Sequence, residues 1–350
     1  MGRIQQVTAG MMVALMLAIA GPARGAEVPL PAQAINDEVP VVVWLDFSSL
    51  NTDAIRASVQ AIADAMPAEM AETRDMLLDD MLADAEATGS GFERMRDAGV
   101  HGMLFVVDTA GMEGGNMMGL LYTAEGTTPE SVQEQINAFN EENGMPEAAA
   151  ETRVEPYEGN WMRIVEEDSV EMRDGDEEYA EAFRELLNSA GDAPIRIALR
   201  LTDRAKQGML DEAAGDPMMA GMVDMLGNLE TGWMALELGD QPRLQNRLHF
   251  NSAAAAAEFN GAWQGLLMMA EGMFMGEVGR VEGAPGPDAV QRLFQSLAME
   301  QDDDALELTL GNEFLEGIGP LAPVLTHMIF TWMMGDAAQH MDQWDMHEGQ

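Results

Sequence analysis

The sequence predicts an α+β protein: a tandem duplication of a ferredoxin-like β-α-β-β-α-β unit with antiparallel sheets, followed by a C-terminal helix. Two apolar runs with the same alternation follow Pro40 and Pro194. After each run come, in the same order, a glycine-led apolar run, a strand that leads into a helix, and a closing strand. Period-two alternation indicates half-buried strands, and the matching order of three segments indicates a repeat.

The N-terminal residues 1–25 have the organisation of a secretory signal peptide. Arg3 precedes an apolar stretch from Ala9 to Ala20, and a Gly-Pro pair and a small-x-small triplet follow it. Cleavage is expected before Ala26, so we expect an exported protein, periplasmic or extracellular. The alternative is an uncleaved anchor, although the apolar stretch is short for a span of about 20 residues.

The charge balance excludes polyanionic partners. The chain has 350 residues, 61 of them acidic and 18 basic, with a net charge of −43 and no cysteine. Such a chain repels nucleic acid and anionic lipid, and without disulfides it depends on burial for stability. The near absence of lysine (Lys206 alone) indicates either a saline exterior or a genome that favours arginine.

The first half is expected over residues 26–168. Its first strand places Val41, Val43, Leu45 and Phe47 on one face, and a helical insertion is expected at about 67–96. A helix capped by Thr127 or Thr128 follows the third strand. "NWMRIVEE" closes the half.

The segment Asp108-Thr-Ala-Gly resembles a switch segment of small GTPases. A GTPase needs a glycine-rich phosphate loop with its lysine before this segment, whereas Lys206 lies after it and outside any such pattern. We interpret the segment as a hairpin turn, in the place that residues 239–242 take in the second half.

An acidic linker and a helix are expected at 169–190, the second half at 191–311, and a helix and polar tail at 312–350. The second half repeats the first with "APIRIAL" and "GWMALELGDQPRLQNRLHFNSAAAAAEF", aligned from Gly102 onto Gly232. Its helix begins at Asn251 or Ser252. These segments, with the Pro-led strand after a secretion signal, resemble a group of uncharacterised exported bacterial proteins with two similar α+β halves. The resemblance implies no activity.

Two acidic segments are weak metal-site candidates. In the linker, Asp174, Asp176 and Glu178 are spaced like the start of a calcium loop, but Tyr179 stands where such a loop needs glycine. We favour a solvated linker there. The tail contains residue types that bind zinc or copper, but a mobile chain end loses conformational entropy when it binds a metal ion. These tail candidates are His340, Asp342, Asp345 and His347.

Methionines recur in clusters at helical spacing, one of them comprising Met268, Met269, Met273 and Met275. We expect packing faces, the alternatives being soft-metal capture or an adaptable peptide groove. Residues 317–335 contain no Asp, Glu, Lys or Arg. This segment is long enough to span a membrane, but Pro320 and Pro323 favour docking on the fold or on a partner.

No constellation of side chains points to catalysis: no G-x-S-x-G motif, no H-E-x-x-H motif and no distinguishable carboxylate pair is present. We therefore expect a non-catalytic binding or assembly protein without a cofactor, whose partner is another protein or an envelope polymer. The alternatives are an acidic protein that binds divalent cations with low affinity, and a hydrolase with an unrecognised carboxylate site.

Overall fold

Ten strands form one antiparallel sheet, and the α+β class is confirmed. The computed structural model describes residues 27–64, 71–107, 117–142, 152–166, 175–207, 227–239, 241–278, 286–311 and 314. The order across the sheet is β4-β5-β3-β2-β1-β6-β7-β8-β10-β9. The strands are β1 Val41–Asp46, β2 Val100–Val107, β3 Met117–Thr123, β4 Thr152–Pro156, β5 Trp161–Glu166, β6 Ile195–Arg200, β7 Leu229–Glu237, β8 Arg243–Phe250, β9 Glu300–Asp302 and β10 Ala305–Leu310.

The two halves of the sheet have the same strand order. From the centre outward, the first half runs β1-β2-β3-β5-β4 and the second runs β6-β7-β8-β10-β9. The first strands of the halves, β1 and β6, pair with each other at the centre. Residues aligned by the sequence repeat face one another reciprocally, as in an isologous dimer. The pairs are Val41 with Leu199, Val43 with Ile197, and Leu45 with Ile195.

The second strands align one residue away from the expected register. The β2–β3 ladder is irregular between Val100 and Gly102, and the β7–β8 ladder between Leu229 and Thr231. Gly102 therefore corresponds to Thr231, not to Gly232. The pairings with the first strands agree with this correspondence, since Gly102 lies opposite Asp46 of β1 and Thr231 lies opposite Arg200 of β6.

Strand pairing within each half differs from that of a split β-α-β unit. In such a unit, strands joined through a helix run parallel. Here β1 and β2, which two helices connect, are antiparallel neighbours, and β2 pairs directly with β3. Each half also has an extra outer strand, β4 or β9. The ferredoxin-like description of the halves is therefore not confirmed, whereas the antiparallel sheet is.

Most of the described helices lie on one side of the sheet, which we call the helical face, whereas the helix Glu177–Ser189 lies on the other side. The helices are α1 Thr52–Asp64, α2 Ala71–Asp97, α3 Pro129–Glu142, α4 Glu177–Ser189, α5 Ala253–Val278 and α6 Pro287–Ser296. On the helical face, α1, α2 and α3 pack on the first half, where Ile55, Val59 and Val132 join the core. Helix α5 packs on β8, β9 and β10 of the second half. Helix α2 lies where the helical insertion was expected.

The opposite side of the sheet, the open face, is covered only in part. Helix α4 and residues 27–40 bury an apolar cluster that includes Val42, Trp44, Leu104 and Phe183 on the first half and the centre. None of the described helices has both the length and the apolar character that a membrane crossing requires. Residues 317–335, with the expected C-terminal helix, and the turn at 108–111 lie outside the described residues.

Candidate binding surface

Alternation in β8 and β10 places polar side chains on the open face of the second half. Arg243, Gln245, Arg247 and His249 of β8 point to this face, because their neighbours Leu244 and Leu248 pack on the helical face. In β10, Glu307 lies opposite Arg247 and Thr309 opposite Gln245. We call the surface formed by Arg243, Gln245, Arg247, His249, Glu300, Asp302, Glu307 and Thr309 the polar face.

Equivalent positions of the first half are apolar and covered. The strand pairings match Gln245, Arg247 and His249 to Met118, Leu120 and Tyr122, and these three residues contact the cluster beneath α4 and residues 27–40. Over the polar face, by contrast, the described residues provide no covering helix. Two equivalent surfaces thus have opposite character, one buried and one open.

Arg247 is the centre of an ion-pair network on the polar face. Its guanidinium pairs with Glu307 and lies 3.3 Å from the carboxylate of Asp302. Its Nε donates a hydrogen bond to Nε2 of His249 at 3.1 Å. Three partners hold the side chain of Arg247 in place, although 29% of it remains exposed. The network presents fixed donors and acceptors to solvent, an arrangement suited to a polar ligand surface.

A cleft with a volume of about 510 Å³ adjoins this network. Its lining includes Arg243, Glu300, Glu307 and Thr309 of the polar face, together with Gln295 and Phe314. The cleft is open and both charge signs border it. It can hold a polar side chain or a short polymer segment, but it does not enclose a small molecule.

Of the predicted metal ligands, Asp176 and Glu178 are described and exposed. Asp176 is the N-cap of α4: its Oδ1 accepts a hydrogen bond of 2.8 Å from the backbone N–H of Glu178. Asp174, His340, Asp342, Asp345 and His347 lie outside the described residues. In the described part of the chain, no three His, Asp or Glu side chains gather as a metal would require.

The hydrolase alternative gains no support from the described carboxylates. Among them only Asp46 is buried. Its oxygens accept hydrogen bonds from Ser48 and Ser49, which follow β1. A glycosidase needs two carboxyl groups facing one cleft. In the described residues, Asp46 has no buried carboxylate partner and serves to terminate β1.

A buried arginine at the centre of the sheet is a feature that sequence reasoning missed. Arg196 of β6 is 1% exposed and lies opposite Trp44 on the open face. Burial lowers the pKa of Arg196, and the carboxylates of Asp46 and Asp192 oppose that effect. The signal was visible in "IRIALR", where Arg196 takes an inward position of an alternating strand.

The polar face is thus the site best supported by the described residues. Comparison of the chain with protein-family models, with curated proteins and with solved structures finds no match. The resemblance to exported proteins with two similar halves therefore stays a prediction.

Proposed function

We propose that the protein is an exported, non-catalytic binding or assembly protein whose polar face binds another protein or an envelope polymer. One observation carries the proposal: the polar face is open, whereas the equivalent residues of the first half, Met118, Leu120 and Tyr122, pack in the apolar cluster formed with residues 27–40 and α4. One of two equivalent surfaces is buried and the other is open, so the open one is available to a partner. We further propose that the equal strand orders of the halves arose by tandem duplication.

Binding is tested with Arg247→Ala, because this change removes the centre of the ion-pair network on the polar face. The full-length protein, expressed with its own signal and immobilised, should capture a partner from native envelope extract. We expect Arg247→Ala to reduce capture of that partner at least tenfold, as measured by quantitative mass spectrometry. Arg292→Ala makes the same change at an exposed position of α6 and is the matched control. Equal capture by both variants, or no captured partner, would count against the proposal.

Export is tested by N-terminal sequencing of the protein recovered from a bacterial host. We expect the periplasmic or extracellular fraction to contain a chain that begins at Ala26. A full-length chain in the cytoplasm or the membrane fraction would contradict the predicted signal peptide. The N-terminal residue of the recovered chain does not depend on partner binding, so the export proposal and the binding proposal can each fail without the other.

The charge of −43 predicts a marked dependence of stability on salt. Screening of like charges should raise Tm by roughly 3–6 °C between 10 mM and 300 mM NaCl, equivalent to about 1–2 kcal/mol. Differential scanning calorimetry measures this shift. If charge screening is the whole effect, calcium chloride should give a Tm less than about 2 °C above that in NaCl at the same ionic strength. A larger calcium-specific rise would instead support the divalent cation alternative.

A further inference from the structure

The side of α5 that points away from the sheet is apolar and exposed. Its inner side packs through Phe259, Leu267 and Phe274. On the other side, Met268, Met269 and Met273 are 68%, 54% and 60% exposed. We call this surface the outer face of α5; it comprises Gly261, Gly265, Leu266, Met268, Met269, Gly272, Met273 and Gly276. The four methionines of this cluster were expected to form a packing face. Met275 does pack toward α6, whereas Met268, Met269 and Met273 are exposed.

The lack of charge on this surface is anomalous for the chain. Between Gly261 and Gly276 the only charged residue is Glu271, in a protein with 61 acidic residues. A helix that is apolar on every side is normally covered on every side. The described residues cover only the inner side of α5. The outer face therefore has the character of an interface whose second surface lies outside the described residues.

Four glycines of the outer face have no role within the described residues. A Cβ added at Gly261, Gly265, Gly272 or Gly276 would meet nothing within 4 Å. Each glycine costs about 1 kcal/mol relative to alanine inside a helix. By contrast, a Cβ added at Gly91 of α2 would lie 2.8 Å from Phe139 of α3, so that glycine permits a close helix contact. Glycines four and seven residues apart on the outer face permit a similar close approach.

The course of the chain brings a matching segment to this helix. Phe314 packs on a cluster of α6, with Val290 and Phe294, that also contacts Phe274 and Met275 of α5. Residues 317–335 begin three positions later and carry no Asp, Glu, Lys or Arg. The outer face, from Gly261 to Gly276, is about 22 Å long at 1.5 Å per residue. Nineteen residues are long enough to cover it in helical or extended form.

We propose that residues 317–335 dock on the outer face of α5 in the same molecule. The segment and the surface are both uncharged and apolar, so their contact removes exposed methionine side chains from water without burying a charge. The polar face fits this segment poorly, because docking there would desolvate Arg247 and Glu307. Phe314, the last described residue before the segment, packs in the same cluster as Phe274 and Met275 of α5.

Cysteine cross-linking tests the contact directly, because the natural chain contains no cysteine. One cysteine replaces Gly272, and the second is placed in turn at Leu321, Leu325 and Met328. A short bifunctional maleimide should link at least one pair within a single chain, detected by mass spectrometry of the full-length protein. Ala83→Cys, at an exposed position of α2, is the matched control, and Thr309→Cys reports on the polar face. The proposal would be overturned if no link formed or if links formed only between two chains. It would also be overturned if the segment linked to Thr309→Cys and not to Gly272→Cys.

A second measurement uses the glycines. The double variant Gly265→Leu and Gly272→Leu blocks a close approach, and we expect amide hydrogen exchange in residues 317–335 to become at least tenfold faster. Ala83→Leu with Ala87→Leu adds bulk to exposed positions of α2, away from α5, and should leave exchange unchanged. Equal exchange in the two double variants would overturn the proposal. Flotation of the natural protein with phosphatidylcholine vesicles would also overturn it, since the segment would then bind lipid.

Discussion

Replacing Gly102 with alanine is expected to destabilise the protein by about 3–4 kcal/mol. An added Cβ would lie 2.5 Å from Cζ2 of Trp44 and 2.7 Å from the carbonyl oxygen of Leu45. Neither atom moves easily, because Trp44 is buried in the apolar cluster of the open face and the carbonyl belongs to the central strand β1. Relief requires a shift between β1 and β2. Urea unfolding, followed by tryptophan fluorescence, measures the loss.

Gly119→Ala is the matched control for this prediction. Gly119 lies in β3, which pairs with β2. A Cβ there would lie 3.2 Å from Cε of Met103 and 3.4 Å from Cδ1 of Ile164, both at the ends of side chains. We expect a change within about 1 kcal/mol, since these ends adjust readily. Equal losses for the two variants would show that glycine is needed for strand flexibility and not for room beside Trp44.

Asp46→Ala is expected to cost about 2–3 kcal/mol, because it removes the carboxylate charge that most favours the buried guanidinium of Arg196. Within the described residues, Nε of Arg196 donates to the carbonyl oxygen of Ala193 at 2.9 Å, while Nη2 has no hydrogen-bond partner. A guanidinium keeps its proton at every pH at which the protein is handled, so it cannot escape the cost by becoming neutral. The hydrogen bonds from Ser48 and Ser49 to Asp46 are lost as well. Chemical denaturation at pH 7 measures the difference.

A double-mutant cycle separates the charge effect from the lost hydrogen bonds. Arg196→Met keeps the volume and removes the charge, and we expect its stability to stay within about 1 kcal/mol of the natural protein. On that background Asp46→Ala should cost only about 1–2 kcal/mol, giving a coupling of about 1 kcal/mol. Asp192→Ala removes an exposed carboxylate near Arg196 and should change stability by less than about 0.5 kcal/mol. Additive losses for the two substitutions would show that the charge of Asp46 does not stabilise the guanidinium of Arg196.

Local patterns of the sequence predicted the elements, and the structure confirms several in detail. Helix α3 begins at Pro129, and Oγ1 of Thr128 accepts a hydrogen bond from the N–H of Ser131. Helix α5 begins after Ser252, whose hydroxyl accepts from the N–H of Ala255. Capping is predictable because it depends on a side chain and a backbone group three residues apart. Alternation in "RLQNRLHF" places Arg243, Gln245, Arg247 and His249 on one side of the strand, although the sequence alone did not single them out as a site.

Pairing between distant strands was not predictable in the same way. Alternation states which residues share a face, but it does not state which strand lies beside which, or in what register. The single sheet depends on the contact between β1 and β6, 154 residues apart at Val43 and Ile197. Strand β9, with the sequence Glu-Gln-Asp, carries no apolar signal at all. Asp176 was considered as a ligand because a helix cap and a cation site use the same carboxylate chemistry.

The reciprocal contact between β1 and β6 has a consequence for biogenesis. While the chain emerges with its N-terminus first, the backbone N–H and C=O groups on one side of "VVVWLD" have no permanent neighbour until β6 has left the ribosome or the export channel. This strand contains no proline or lysine to discourage adhesion. A nascent chain halted before residue 195 would bind a copy of itself through this strand. Safe production therefore requires either rapid synthesis of both halves or a chaperone that shields the first one.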